Sequence, residues 1–436
     1  MTQEATRTSR KSAGAKFVIF SLIGVALFFT PFSYQDNLSI PIDHLVTWIA
    51  STAPAFGPIY VLVILGAGAS YPFVTKTWKS SGFEIVFSVL KILGLVAGLL
   101  IFLELGPEWL MNPALGPFLY HDLLVSIGLI VPLSGLFLTF LVGYGLLDFL
   151  GVFFHRIMRP IWKVPGRAAV NALASRVASV VVVHMMTNQD YKAGRYTAKE
   201  AVIIVTGFVA VEIPFMVIIA RTLDMMHLFP LFFLLSMVVT FLVTIISARI
   251  WPIRGLSNNY HQGEGVPEEE ISEEYVSTAW DNALDTAARA PSLLRGLWSQ
   301  LKESMVMVMA VLPAILSIGV IALYLVEYTQ LFDYLAYAFY PLTSVLQIPD
   351  AMLVAKGAPL GLAEILLPSL LVMETTIVTK MTVAVVSVSA VLFFSTTIPS
   401  IMATDIPVSI WELVVIWLER VVLSFLIATP LVFLLL

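Results

Sequence analysis

Apolar runs at 17–32, 56–74, 83–105, 123–147, 201–219, 228–250, 305–326, 375–402 and 411–436 constrain the fold before anything else does. Each is near the roughly 20 residues that a helix needs to cross a bilayer core. Of the 436 residues, 59% are hydrophobic and 12% charged, whereas soluble domains are about one-quarter charged. The expectation is an all-α polytopic membrane protein. Within lipid every backbone N–H and C=O must be paired inside the chain, and a helix pairs them locally. The absence of cysteine excludes a disulfide framework, a thiolate metal site and a cysteine nucleophile.

The net charge of −5 belongs to one loop. Residues 264–285 hold eight acids (Glu264, Glu268, Glu269, Glu270, Glu273, Glu274, Asp281, Asp285) and no Lys or Arg. The remaining chain has 21 acids against 24 bases and is mildly basic. Basic loops also set the orientation, because Lys and Arg concentrate on the cytoplasmic side. Arg7, Arg10, Lys11 and Lys16 open the chain, and FFTPFSYQD after the first apolar run has no small-residue cleavage pattern. A first transmembrane helix with a cytoplasmic N-terminus is therefore expected, not a removed signal peptide. Lys76 and Lys79, then Arg156, Arg159 and Lys163, then Arg249 and Arg254 mark further cytoplasmic turns. Residues 36–54 and 104–122 carry no Lys or Arg and lie outside, and Arg221 stands against the pattern.

One stretch resists assignment as a simple span. Residues 164–186 read VPGRAAVNALASRVASVVVVHMM, a Pro-Gly break followed by small residues with Arg167, Asn171, Ser175, Arg176, Ser179 and His184. Basic patches flank it on both sides, Lys163 and Arg167 before and Lys192, Arg195 and Lys199 after. A re-entrant hairpin that enters and leaves by one face satisfies both patches. Residues 351–373 repeat the broken pattern with Lys356, Gly357, Pro359, Gly361, Glu364 and Pro368.

An internal repeat links the two stretches. A shift of 185 positions lays DFLGVF (148–153) on DYLAYA (333–338) and Glu212-Ile213-Pro214 on Thr397-Ile398-Pro399. It also pairs Asn171 with Lys356 and Ser179 with Glu364. By the charge rule the first copy starts outside and the second inside, so the copies are inverted. Inverted repeats with discontinuous helices characterise secondary transporters, in which freed backbone groups receive polar cargo. The division expected is N-terminal transmembrane helices (1–121), a first repeat with its following helix (122–250), an acidic cytoplasmic linker (251–301), a second repeat (302–403) and a final helix (404–436). Within the linker, 272–301 has helical spacing with Ser272 as its N-cap.

The segment KVPGRAAVNALAS, continued by TNQDYKAGRYTAKEAVIIVTGF up to Phe208, resembles bacterial YjiH-type inner-membrane proteins, which contain the nucleoside-recognition or Gate domain. GAPLGLAEILLPSLL (357–371) resembles a second Gate domain. The resemblance covers most of the chain. It implies a multi-pass protein of the bacterial inner membrane with two inverted Gate-like repeats and a role in transport or recognition of a small polar, nucleoside-like solute.

Candidate residues follow from polarity at depth, which is costly in lipid and points to function or to pairing. Asn171, Ser175, Ser179, Lys356 and Glu364 are candidates for solute binding, against helix packing for the hydroxyls and a structural Lys356–Glu364 ion pair. Glu212, before a proline that frees a carbonyl, is the first candidate for ion coupling, with His184 and Thr397 beside it. A structural partner for a neighbouring base is the alternative for Glu212, and a backbone hydrogen bond is the alternative for His184. Glu419 and Arg420 in the last span remain unassigned. No Walker A loop, HExxH or GxSxG occurs, which weighs against a built-in ATPase and the commoner hydrolases. The expectation is no enzyme activity, no cofactor, no metal and no nucleic acid. The partners expected are the lipid bilayer, a small polar solute, a proton or sodium ion, and either further copies of the chain or a second Gate-domain protein. The competing reading is a non-transporting scaffold or regulatory subunit.

Overall fold

The computed structural model describes every residue except 1, 35, 36, 80, 81, 114, 176–179, 210, 262–264 and 266–274. Among the described residues the protein is all-α apart from one short hairpin, β1 (Phe32–Tyr34) with β2 (Asn37–Ser39). Among the described residues, eight helices are long and apolar enough to cross a membrane, and the chain is a multi-pass membrane protein.

The N-terminal part comprises α1 (Thr2–Phe29), α2 (Pro41–Thr52), α3 (Phe56–Val74) and α4 (Gly82–Phe102). The first repeat begins with a π-helical turn, Phe118–Leu124, that leads into α5 (Val125–Val142). Then come α6 (Leu146–Ile157) with its π-helical extension through Trp162, α7 (Ala168–Ala174) and α8 (Val180–Lys192). α9 (Ala198–Ile203) runs through a π-helical turn to Phe208, and α10 (Ile213–Thr222) and α11 (Phe229–Ser247) close the copy. α12 (Tyr275–Arg289) follows the acidic segment. The second repeat and the final helix comprise α13 (Leu293–Tyr328), α14 (Leu331–Val345), α15 (Ala351–Ala363), α16 (Leu367–Leu371), α17 (Ile377–Ala390), α18 (Thr397–Met402) and, last, α19 (Ile410–Leu435).

The repeat is visible element by element. Leu146 and Leu331, 185 positions apart, each begin an amphipathic helix, α6 and α14. The same shift carries α5 onto the end of α13, α7 onto α15, α10 onto α18 and α11 onto α19. The copies are inverted, because equivalent helices cross antiparallel. Gly135 of α5 abuts Ser304 of α13, Gly128 reaches Leu312, and Thr139 lies beside Gly296, so one number falls as the other rises.

Two expectations about helix boundaries need correction. The linker helix expected over 272–301 is two elements, because Pro291 interrupts it: α12 ends at Arg289, and α13 starts at Leu293 and runs on through the membrane span. Ser272 lies outside the described residues. The run at 375–402, read as a span, is itself discontinuous between α17 and α18. α12 lays Ala279, Ala283, Leu284 and Ala287 against α1 and α6, and Arg10 meets Asp281 at 3.1 Å. At the turn into α6, Gly145 has φ +94 and sits against the Ala283 carbonyl, a conformation that suits glycine.

Pro313 stays inside α13. A proline frees the carbonyl four residues earlier, here that of Met309. Gly68 of α3 packs directly on the Met309 carbonyl and Gly94 of α4 on the Pro313 carbonyl, with ideal Cβ positions 1.9 and 2.0 Å from those oxygens. Small residues allow such close helix approach in membranes. Gly94→Val is therefore expected to lower the unfolding temperature in detergent, with a cost of about 1–3 kcal/mol from overpacking. Gly66→Ala, whose added Cβ meets nothing within 4 Å, is expected not to lower it, and thermal melts of both variants provide the check.

Candidate functional site

Four elements are broken, two in each repeat. In the first repeat α7 and α8 form a hairpin, and a neighbouring helix is interrupted between its π-helical turn, which ends at Phe208, and α10, which starts at Ile213. Asn171 demonstrates the hairpin: its Nδ2 donates to Thr187 Oγ1 and to Tyr196 Oη, both at 3.3 Å. A continuous helix would hold residues 171 and 187 about 24 Å apart. In the second repeat α15 folds back on α16, with Gly357 and Gly361 against Pro368. The helix formed by α17 and α18 unwinds at 391–396, where Val391 has φ +65.

A break leaves carbonyls before it and amides after it without helical partners. Ser175 Oγ lies 2.8 Å from both the Ala172 and Phe208 carbonyl oxygens. Glu212, the N-cap residue of α10, accepts a hydrogen bond from Val180 N–H at 3.0 Å. That donor belongs to the first turn of α8, where a helix favours negative charge. In the second repeat the broken segment pairs with the hairpin through backbone. Phe394 N–H donates to the Leu362 carbonyl at 2.7 Å and Ser395 N–H to the Ala363 carbonyl at 3.1 Å. Glu364, 7% exposed, follows α15 and lies against the Ser395 hydroxyl and the backbone at Ile365 and Leu366. The two junctions are thus alike but reciprocal: in the first the broken helix supplies the carboxylate, in the second the hairpin does.

The repeats exchange contacts at these junctions. α8 packs on α18, and α16 packs on α10. His184 of α8, fully buried, meets Ser400 Oγ of α18 through Nδ1 at 2.5 Å. Thr397 Oγ1 accepts from Phe393 N–H at 2.7 Å and stands 3.1 Å from the Phe393 carbonyl, so it secures its own break. Ser179 lies outside the described residues. Lys356 does not pair with Glu364: its ion pair is with Asp333 of α14. The expected partner is eight residues on, about 12 Å along a helix, and is turned toward Ser395, whereas α14 packs beside α15. Ser369 of α16 and Thr382 of α17 retain buried hydroxyls without hydrogen-bond partners.

Several residues of this region escape sequence reasoning. Tyr196 and Ser395 carry no pattern that separates them from packing residues. Arg420, a charge in mid-span, did carry a signal. It is fully buried, and its Nε and Nη2 donate to the Ser389 carbonyl at 3.2 and 2.8 Å. A cavity of about 130 Å³ lies away from the tips, between α5 and the end of α10, lined by Ser126, Ile130, Ile218, Arg221 and Thr222 among others. Arg221 there pairs with Asp43 of α2, whose other carboxylate oxygen accepts from Ser39 Oγ at 2.7 Å.

Residues 124–226 match the family model described as Gate, nucleoside recognition. An uncharacterized protein of Alkalihalophilus pseudofirmus is 26% identical over 442 residues, covering 97% of this chain and 94% of its own length. Among solved structures, a CNTnw variant in an outward-facing state gives a TM-score of 0.46 at 12% identity and covers 98% of this chain and 92% of its own. CNTnw in an intermediate state gives 0.42 at 12% identity, covering 94% and 99%.

Ser175→Ala is expected to destabilise the protein by about 1–3 kcal/mol, since it leaves a buried carbonyl unpaired. A lowered melting temperature in detergent would register it. A second expectation concerns the loop after α18, outside the spans. Lys192 Nζ and Asn188 Nδ2 donate to Asp405 at 2.8 and 3.2 Å, and the Lys192 bond, then the Asn188 bond, hold its carboxyl below the usual carboxylate range. The tie is complete above the unfolded carboxylate pKa of about 4 and is lost as pH falls through the lower folded value. The melting temperature of Asp405→Asn is expected to fall below the parent's at neutral pH and to converge with it in acid.

Proposed function

We propose that the protein is a secondary transporter of a small polar, nucleoside-like solute, with its site where the two hairpin tips meet the two broken helices. The observation that carries this reading is the reciprocal pair of junctions, with half-buried Glu212 in one and buried Glu364 in the other against freed backbone, in inverted repeats. Such a meeting of half-helices is where secondary transporters take their cargo and coupling ion. The match of residues 124–226 to a nucleoside-recognition family supports the solute class.

In this reading Ser175 and Glu364 face the solute, and Asn171 braces the first hairpin. Lys356, engaged by Asp333, contributes to solute binding only by exchanging that partner. Glu212 couples transport to a proton or sodium ion, because protonation or cation binding there removes the charge that holds the first turn of α8. His184 and Thr397 transmit the change, His184 between repeats and Thr397 within the second break. The functional units are the N-terminal helices (1–121), a first Gate-like repeat (122–250), an acidic linker (251–301), a second Gate-like repeat (302–403) and the last helix (404–436). The membrane is the bacterial inner membrane, with the N-terminus and acidic linker in the cytoplasm, and the assembly contains further copies of the chain or a second Gate-domain protein.

The test is uptake by proteoliposomes that contain this protein alone, with nucleosides, nucleobases, amino acids and organic acids as trial solutes and an imposed proton or sodium gradient. Gradient-driven accumulation of a nucleoside-like solute is expected. A solute that shifts the melting temperature but never crosses would overturn transport in favour of a recognition or scaffold role. Glu212→Gln is expected to abolish accumulation and to leave solute exchange intact. Unchanged accumulation in a well-folded Glu212→Gln variant would remove that residue from coupling.

A further inference from the structure

Arg420 occupies the point where both broken helices end. Its Nε and Nη2 converge on the carbonyl of Ser389, one residue before the end of α17. Its Nη1 donates to Thr244 Oγ1 of α11 at 3.1 Å. Thr244 Oγ1 is in turn 3.0 Å from the Gly207 carbonyl, in the last turn before the first break. Thr240, one turn from Thr244, donates to Ser389 Oγ at 3.2 Å and closes the group. Thr240, Thr244, Ser389 and Arg420 are all at most 1% exposed.

The charge balance explains why one guanidinium serves two breaks. A helix C-terminus carries roughly −0.5 elementary charge, so two that converge present about −1. A buried cation is costly unless compensated, and the end of α17 contributes to that compensation through the Ser389 carbonyl. The repeat makes the asymmetry plain: the position equivalent to Arg420 is Leu235 of α11, and α11 packs on α19.

We propose that this group of oxygens is a monovalent-cation site whose occupant is a side chain, with Arg420 as the tethered cation. Arg420 is then a positioning residue: it holds the C-terminal ends of α17 and of the helix before residue 209 in register with each other. The inference stands on this geometry and not on the transport reading, and its test reads ion response in place of flux.

The experiment uses the full chain in detergent and follows thermal unfolding by tryptophan fluorescence. The parent, Arg420→Met, Arg420→Lys and Thr244→Val are compared in choline, sodium, potassium and guanidinium chloride at equal, tens-of-millimolar concentration. The parent's melting temperature should be the same in choline and guanidinium, and any sodium response of the parent, as from a coupling ion at Glu212, is the baseline against which each variant's sodium response is read. Arg420→Met should melt several degrees lower in choline and recover in guanidinium, with a smaller recovery in sodium or potassium. Arg420→Lys should melt between the two. Arg420→Met that melts like the parent, or that melts lower with no response to any cation while Arg420→Lys fares no better, would overturn the proposal. Should Arg420→Met not fold, Arg420→Lys and Thr244→Val decide it. Both should be destabilised, and parent-like melting of Thr244→Val would sever the link to the first break.

Discussion

Backbone hydrogen bonding governs this structure. In a bilayer an unpaired N–H or C=O has no water to turn to, and each one costs several kcal/mol, on the order of a whole side-chain contact or more. The protein nevertheless unwinds two helices and folds two others into hairpins. It does so by placing every break against a partner. Phe394 and Ser395 give their amides to Leu362 and Ala363 of the hairpin. The Phe208 and Gly207 carbonyls meet Ser175 and Thr244. Hairpin and broken helix are therefore obligate companions within each copy.

Inversion of the repeat brings the two pairings together. Because α5 and α13 cross antiparallel near their equivalent points, the two pairs of broken elements approach from opposite directions and meet. α8 then touches α18, and α16 touches α10. The copies have diverged where they meet. One carboxylate sits on the broken helix and the other on the hairpin, and one arginine serves helix ends in both copies.

Legibility in the sequence followed the physics of each feature. The spans were plain because lipid demands long apolar runs. The hairpin at 168–186 was readable because basic loops on both sides forbade a single crossing. The Glu212-Ile213-Pro214 and Thr397-Ile398-Pro399 pair marked the restart of both broken helices, as proline is tolerated in a first helical turn. Pro313 and Pro430 show the limit of that signal: both lie inside continuous helices. Whether a proline breaks a helix depends on what receives the freed carbonyl, and at Pro313 that is Gly68 of a helix some 240 residues away in sequence. The alternative Lys356–Glu364 ion pair failed for a similar reason, since charge alone did not say that Asp333 would lie nearer to Lys356 than Glu364.

The sequence by itself determined that the chain is an all-α multi-pass membrane protein, that it repeats at a shift of 185, and which stretches carry polarity into lipid. Those properties depend on composition and local spacing, and every segment shows them alone. Only the tertiary structure decided which polar groups meet: Glu212 with α8, Glu364 with the second break, and Arg420 with the end of α17 and with Thr244 of α11. Each of these contacts joins residues more than 30 positions apart, and the energy of a buried charge is set by the partner that arrives, not by its neighbours in the chain.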